Sequence, residues 1–180
     1  MKLRLEDITA EAKELSFAEP EAEINRILSQ GPIREYQVEN PIEVEVSYYR
    51  AGMDVFIDGH INATVGAACA RCAEDFGVSS DRSFRYVMSP KAAGFGNAPG
   101  AGPDDADLTV YEGDEIDLSP LVREQLMLSL PTRPLCRDDC RGLCSHCGVN
   151  LNRAACTCAE HKFDPRFAAL RGLTLRPRSN

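Results

Sequence analysis

The sequence predicts an α+β protein: an antiparallel sheet that can curve toward a barrel, one amphipathic helix packed against it, and a cysteine-rich C-terminal tail. Three observations predict this class. Apolar and polar residues alternate over long stretches, one apolar helix pattern is bounded by prolines, and six cysteines fall within 23 residues near the C-terminus.

The sheet is predicted from alternating side chains over residues 43–48 and 53–67, with a turn at residues 50–52 between them. Sustained alternation is typical of antiparallel strands that keep one face in water. A returning strand over residues 76–86 completes a hairpin. The motif Cys69-Ala-Arg-Cys72 should therefore lie at or near the hairpin tip, where a tight turn can direct two sulfurs the same way.

Glycine and proline predict two interruptions of this pattern. Gly59, inside the long strand, predicts a bulge or a bend. Residues 89–107 contain four glycines and three prolines, which predicts a flexible loop inside the sheet domain. A short strand should follow this loop at residues 108–111.

The clearest helix signal lies between Asp117 and Pro131. Ser119 can cap this helix, and Pro120 suits its first position, where its missing N–H costs nothing. One apolar face should pack on the sheet: Leu118, Leu121, Val122 and Leu126. A second, shorter helix is predicted over residues 20–31.

Charge divides the chain into two predicted domains. Residues 1–132 carry 11 Lys and Arg against 24 Asp and Glu, a net charge of −13, and form the acidic sheet domain. Residues 133–180 carry 9 against 4, a net charge of +5, and form the basic zinc-knuckle tail. The acidic part repels phosphate backbones and suits a basic protein, whereas the tail suits RNA. Negative charge would also keep the domain soluble without any partner.

Apolar runs in this sequence are far shorter than the roughly 20 residues that span a bilayer. The N-terminal segment turns acidic at once and lacks an apolar signal core. We therefore expect a cytoplasmic protein without membrane contact. In that compartment thiols stay reduced, so the cysteines are expected to bind metal rather than to form disulfides.

The tail cysteines have the spacing Cys136-x3-Cys140-x3-Cys144-x2-Cys147, followed by Cys156-x-Cys158. Zinc prefers four soft ligands at tetrahedral corners, and a Cys-x2-Cys-Gly turn presents two sulfurs to one ion. Spacings typical of iron–sulfur proteins are absent. The pattern predicts structural zinc, which would explain how a short segment with few apolar residues folds.

Spacing alone leaves the choice of ligands open. The first choice is Cys136, Cys140, Cys144 and Cys147. An alternative keeps Cys144 and Cys147 and takes the other ligands from Cys140 and either Cys156 or Cys158. Six thiols could also hold two bridged metal ions, and His161 could replace one thiol.

The pair Cys69 and Cys72 has three interpretations. It could be half of a second metal site completed by tail cysteines. It could be a redox dithiol in which Arg71 lowers a thiol pKa. It could also be a structural or partner-contacting element. A thioredoxin-like site would need a helix beginning at the first cysteine, and a strand pattern follows here instead.

Other catalytic motifs are absent from the sequence: there is no glycine-rich phosphate loop, nucleophile elbow or zinc-hydrolase motif. We therefore expect a protein that is not an enzyme and that has no small-molecule substrate.

Three segments together resemble the bacterial YceD family of large ribosomal RNA subunit accumulation proteins: Cys69-Ala-Arg-Cys72, the helix from Asp117 to Pro131, and the tail from Pro134 to Asn152 with residues 164–170. The resemblance implies a cytosolic, non-enzymatic factor for accumulation of 23S ribosomal RNA and assembly of the large subunit. Its implied partners are the pre-50S particle, ribosomal RNA or a basic ribosomal protein.

Two other functions remain compatible with the sequence. One is a zinc-ribbon module that binds nucleic acid through the tail. The other is a thiol oxidoreductase at Cys69 and Cys72.

Overall fold

The structure, a computed structural model, describes residues 1–30, 36–91 and 107–158. The elements in chain order are β1 (Lys2–Arg4), a 3₁₀ turn (Leu5–Asp7), β2 (Lys13–Glu19), α1 (Glu21–Leu28), β3 (Tyr36–Val38), β4 (Ile42–Ala51), β5 (Asp54–Ala68), β6 (Asp75–Pro90), β7 (Asp107–Tyr111), β8 (Glu115–Asp117) and α2 (Ser119–Ser129). The α+β class predicted from the sequence is confirmed.

Among the described residues, the main sheet has six strands in the order β2-β4-β5-β6-β7, with β3 beside β5. All its pairs are antiparallel except β6 and β7, which run parallel. A separate two-stranded sheet joins β1 to β8. Within the described ranges β2 and β7 do not pair, so the sheet is open and its curvature into a closed barrel was a wrong expectation.

The β5–β6 hairpin is the longest feature of the sheet, and its register runs from Val55 opposite Met88 to Ala68 opposite Asp75. Gly52, with φ of +65°, makes the preceding turn between β4 and β5. The predicted alternation, the returning strand and the position of Cys69-Ala-Arg-Cys72 at the tip are confirmed. The short strand predicted at residues 108–111 is also confirmed as β7.

Gly59 does not form the predicted bulge, because β4 and β6 both pair with β5 on either side of position 59 without a break in register. A β-carbon at this position would lie 2.1 Å from Cζ of Phe84, so close packing explains the glycine. The irregularity lies instead between β3 and β4. Val38 pairs with Val65 and Glu43 pairs with Asn62, so the four residues between Val38 and Glu43 lie opposite only two residues of β5. Pro41, which has no N–H to donate, lies within this step.

One face of the sheet packs against α2. Val122 and Leu126 of this helix and the residue before it, Leu118, are at most 1% exposed. The predicted apolar face is therefore confirmed, but the predicted cap is wrong. The helix begins at Ser119, and the N-cap residue Leu118 makes no side-chain capping bond. The Ser119 hydroxyl donates to the buried carboxylate of Glu19 instead, at 2.7 Å.

The predicted loop at residues 89–107 overlaps the sheet at both ends, because β6 extends to Pro90 and β7 begins at Asp107. Its interior, residues 92–106, lies outside the described ranges. The division of the chain at residue 132 also remains a prediction. Neither α1 nor α2 is long and apolar enough to cross a membrane.

Candidate metal centres

All eight cysteines lie within the described ranges as free thiols, and they form two groups of four. The inner centre contains Cys69, Cys72, Cys136 and Cys140. The outer centre contains Cys144, Cys147, Cys156 and Cys158. Within each group, all four sulfurs lie within 4.8 Å of one another.

The inner centre joins two distant parts of the chain. Cys69 and Cys72 come from the hairpin tip, and Cys136 and Cys140 come from the segment that follows α2. The sulfur of Cys69 lies 3.8 Å from that of Cys140, and the sulfur of Cys72 lies 3.7 Å from that of Cys136. Cys69, Cys72 and Cys140 are each only 3% exposed, so this centre is shielded from solvent.

Backbone contacts hold the C-terminal segment against the hairpin tip. The N–H of Ala70 donates to the carbonyl of Pro134 at 2.8 Å, and the N–H of Leu143 donates to the carbonyl of Arg71 at 3.1 Å. The guanidinium of Arg71 donates to the carbonyls of Asp138 and Cys140 at 3.1 and 2.9 Å. Arg71 therefore fastens the C-terminal segment in place.

Each centre contains one Cys-x2-Cys turn of the same form. In the outer turn, Gly148 has φ of +72° and its N–H donates to the carbonyl of Cys144 at 2.9 Å. In the inner turn, Ala73 has φ of +56° and its N–H donates to the carbonyl of Cys69 at 2.8 Å. Glycine adopts this left-handed backbone easily, whereas alanine does so at a cost.

The outer centre is more open to solvent than the inner one, because Cys147 and Cys158 are exposed. The sulfur of Cys156 lies 3.3 Å from that of Cys144 and 3.5 Å from that of Cys147. The ligands of this centre come from a stretch of only 15 residues. It can therefore form within one local segment.

Backbone N–H groups point at the sulfurs and change their acidity. Burial alone would raise the pKa of Cys69, but the N–H groups of Cys136, Arg71 and Cys72 lower it to about 6. The N–H groups of Cys147 and His146 lower the pKa of Cys144 to about 6. Such donors stabilise thiolates, which are the form of cysteine that binds metal.

Two other thiols in each centre have a raised pKa, and the shift is large for Cys136 and Cys158. Burial and the adjacent sulfurs raise the pKa of Cys136 to about 12. Hydrogen bonds with the Cys156 and Cys147 sulfurs raise the pKa of Cys158 to about 12. Without a cation, neighbouring sulfurs cannot all be charged, so each quartet needs a positive ion to become fully deprotonated.

Both quartets fit zinc. A tetrahedron with Zn–S bonds of about 2.3 Å has sulfur–sulfur edges of about 3.8 Å. The four sulfur–sulfur contacts, at 3.3–3.8 Å, are close to that edge and far longer than a disulfide bond of about 2.05 Å. Four thiolates also match the ligand set of structural zinc sites.

The structure groups the predicted ligands differently from the grouping that was predicted from their spacing in the sequence. The first-choice quartet is split, because Cys136 and Cys140 lie in the inner centre while Cys144 and Cys147 lie in the outer one. The alternative quartet is split as well, since Cys140 does not join the outer group. The arrangement that the structure does assemble is the pairing of Cys69 and Cys72 with tail cysteines. His161 lies outside the described residues.

The sequence interpretation missed Asn152. Its side-chain Nδ2 lies 3.2 Å from the sulfur of Cys140, and its Oδ1 accepts from the backbone N–H of Arg141 at 2.8 Å. The sequence signal was only a turn with two asparagines. The redox interpretation of Cys69 and Cys72 gains no support, because both thiols are 3% exposed and a substrate disulfide would need access to them.

A family model described as the large ribosomal RNA subunit accumulation protein YceD matches residues 57–174. The chloroplastic large ribosomal RNA subunit accumulation protein YCED homolog 1 of Arabidopsis thaliana is 26% identical over 163 residues, covering 78% of this chain and 51% of that protein. An uncharacterized protein of Mycobacterium tuberculosis is 33% identical over 125 residues, covering 64% and 54%.

The chain thus spans about half the length of the curated relatives it matches. No solved structure gives a significant match. The family match includes the β5–β6 hairpin from Ile57 onward, α2 and all eight cysteines, so it covers both candidate metal centres. The chain belongs to the YceD family of large ribosomal RNA subunit accumulation proteins.

Proposed function

We propose that this protein supports accumulation of 23S ribosomal RNA by binding to precursors of the large ribosomal subunit in the cytoplasm. The observation that carries the proposal is the family match over residues 57–174, which covers the hairpin, α2 and both cysteine centres. The plant relative is named a large ribosomal RNA subunit accumulation protein, which agrees with the RNA-accumulation part of this proposal.

Binding rather than catalysis is favoured by the chemistry of the two centres. A catalytic zinc keeps one position open for water or substrate, whereas four cysteines fill the tetrahedron. Each centre has four thiols within reach of one ion. We propose that zinc is a structural cofactor, which orders the C-terminal segment and takes no part in a reaction.

An acidic sheet face is the surface that we propose for the partner. We define it as Glu43, Glu45, Asp58 and Asp81. In the strand register, Glu43 and Asp81 flank Asn62 from the two neighbouring strands. Glu43, Glu45 and Asp81 are exposed, whereas Asp58 pairs with Arg85. A face of this charge fits a basic protein, and we propose a Lys- and Arg-rich ribosomal protein as the contact.

Two of the four arginines in the described tail favour this choice over direct RNA contact. Arg137 pairs with Asp139 and donates to Asn152, and Arg153 pairs with Glu74. Arginines that hold the tail together are less available to phosphates. A zinc-ribbon module that reads RNA would instead need these exposed guanidinium groups free of carboxylate partners.

Co-sedimentation with large-subunit precursors tests the proposal. We expect the wild-type chain in the precursor fractions of a sucrose gradient. The triple variant Glu43→Gln, Glu45→Gln, Asp81→Asn should move to the top of the gradient. The matched control, Glu6→Gln, Glu11→Gln, Asp114→Asn, removes the same charge from exposed positions elsewhere and should stay in the precursor fractions.

Two outcomes would overturn parts of this proposal. Wild-type protein that is found only at the top of the gradient would contradict the ribosomal role. If the sheet-face variant sediments normally while Arg133→Gln with Arg141→Gln does not, the contact is RNA through the tail. Binding should then weaken steeply with salt.

A further inference from the structure

We propose that the chain binds two zinc ions, one in the inner and one in the outer centre, and that the side chain of Asn152 couples the two. The proposal rests on the structural zinc proposed above for the C-terminal segment. It concerns metal content alone, which is measured without any ribosomal partner.

Two separate ions follow from the way the sulfurs are distributed. The two quartets share no cysteine, and each is complete without the other. Each combines one Cys-x2-Cys turn with a second pair, at Cys136 and Cys140 or at Cys156 and Cys158. A single ion could occupy only one group, and a bridged pair of ions would need at least one shared sulfur.

Hydrogen-bond donors around the sulfurs support full occupancy of each centre. Four thiolates and one Zn²⁺ carry a formal double negative charge, which N–H groups must stabilise. The N–H of His146 lies 3.4 Å from the sulfur of Cys144, and the N–H of Cys158 lies 3.2 Å from the sulfur of Cys156. Asn152 supplies the matching side-chain donor to Cys140 in the inner centre.

The two ions should have different roles because their ligands come from different parts of the chain. The inner ion would tie the hairpin tip to the segment after α2, and these partners are 64 to 71 residues apart in sequence. The outer ion would order only the local segment from Cys144 to Cys158. Loss of the inner ion should therefore release the whole tail, whereas loss of the outer ion should loosen its end.

Asn152 links the centres through a short chain of contacts. The N–H of Cys144, an outer ligand, donates to the carbonyl of Val149 at 2.8 Å. Val149 begins the turn that carries Asn152. That turn is fixed by a bond from the N–H of Leu151 to the carbonyl of Gly142 at 2.9 Å. From this position, the Asn152 amide reaches the sulfur of Cys140 at 3.2 Å. The outer ion thus holds a donor in place for an inner ligand.

Elemental analysis of the full chain, purified without chelator, tests the number of ions. We expect two zinc ions per wild-type chain. Each of the paired variants, Cys69→Ser with Cys72→Ser and Cys147→Ser with Cys158→Ser, should hold one. One ion or none in the wild type would overturn the proposal. Because the inner-centre variant can unfold, the outer-centre variant is decisive by itself: it must retain one ion bound by four sulfurs in its X-ray absorption spectrum.

Zinc transfer to a chromogenic chelator tests the coupling. Removal of an outer-shell partner typically costs 10- to 100-fold in metal affinity. We therefore expect Asn152→Ala to keep both ions but to release one of them about tenfold faster than the wild type. Asn62→Ala, an exposed asparagine on the sheet, should behave as the wild type does.

A second comparison separates coupling from simple loss of a hydrogen bond. In the Cys147→Ser, Cys158→Ser background, Asn152 is already loosened, so Asn152→Ala should change the remaining release rate by less than about twofold. Equal release rates for Asn152→Ala and wild type, or a full tenfold effect in the metal-depleted background, would overturn the coupling. Either result would leave the proposed ribosomal role untouched.

Discussion

Gly142 lies against the backbone carbonyl of Arg71, so closely that a β-carbon at position 142 would be 3.0 Å from that oxygen. Its φ of +76° also requires the left-handed backbone. This contact is the point where the chain after Cys140 turns across the hairpin tip. Tight packing at Gly142 and the hydrogen bond from the N–H of Leu143 to the same carbonyl position the segment of the outer centre, residues 144–158, beside the inner centre.

Gly142→Ala should therefore destabilise the protein more than an ordinary glycine change does. Gly113 is the matched control, because it has the same φ of +76° and a β-carbon there would meet nothing within 4 Å. Gly113→Ala should cost about 1 kcal/mol for backbone strain alone. Gly142→Ala should cost at least about 1 kcal/mol more because of overpacking. Chemical denaturation of the zinc-loaded protein measures both, and equal losses would contradict the crowding argument.

The two Cys-x2-Cys turns predict opposite effects of opposite substitutions. Gly148→Ala should lower the free energy of unfolding by about 1 kcal/mol, since alanine resists φ of +72°. Ala73→Gly should raise it by about 0.5 kcal/mol, since strain relief at φ of +56° exceeds the entropy that glycine adds to the unfolded chain. Thermal unfolding with saturating zinc checks both signs, and stabilisation by Gly148→Ala would refute the proposed geometry.

Gly59 and Phe84 should be energetically coupled. With Phe84 present, Gly59→Ala should cost about 1–3 kcal/mol, because the new methyl group displaces the ring. With Phe84→Ala, the same change at position 59 should be nearly neutral. A double-mutant cycle measured by denaturant unfolding gives the coupling free energy. Additive single effects would show that the ring does not limit position 59.

Gln125 should contribute to the attachment of α2 to the sheet. It is 1% exposed, donates to the Tyr86 hydroxyl at 2.7 Å and accepts from Nε of Arg82 at 2.8 Å. Gln125→Leu should lower stability by about 1–3 kcal/mol, because Arg82 loses its acceptor and the Tyr86 hydroxyl, which still donates to Glu124, loses a donor. Gln37→Leu, the same change at an exposed strand position, should alter stability by less than about 0.5 kcal/mol. Equal effects would mean that the buried network is not stabilising.

Local pattern was enough to predict most of the secondary structure. Alternation over residues 43–67 predicted β4 and β5, and the returning pattern placed Cys69 and Cys72 at the hairpin tip. The apolar face of α2 was predicted from residues three and four apart. These features follow from the periodicity of side chains along a single helix or strand. That periodicity can be read from one continuous segment of the sequence.

Long-range packing decided what the pattern left open. Nothing local indicates that β7 runs parallel to β6, that Ser119 binds Glu19 rather than capping α2, or that a close-packed ring explains Gly59. The open sheet likewise depends on which strands meet across the whole domain.

By itself, the sequence determined that the protein is α+β, that a cysteine pair ends a hairpin and that the tail is rich in potential zinc ligands. Only the tertiary structure decided which sulfurs belong together. Spacing ranks cysteines by proximity along the chain, and it therefore joined Cys136 and Cys140 to Cys144 and Cys147. Folding brings the hairpin tip against the segment after α2, so Cys136 and Cys140 meet Cys69 and Cys72 instead. A tetrahedral site requires four sulfurs close in space, and distance along the chain does not determine that.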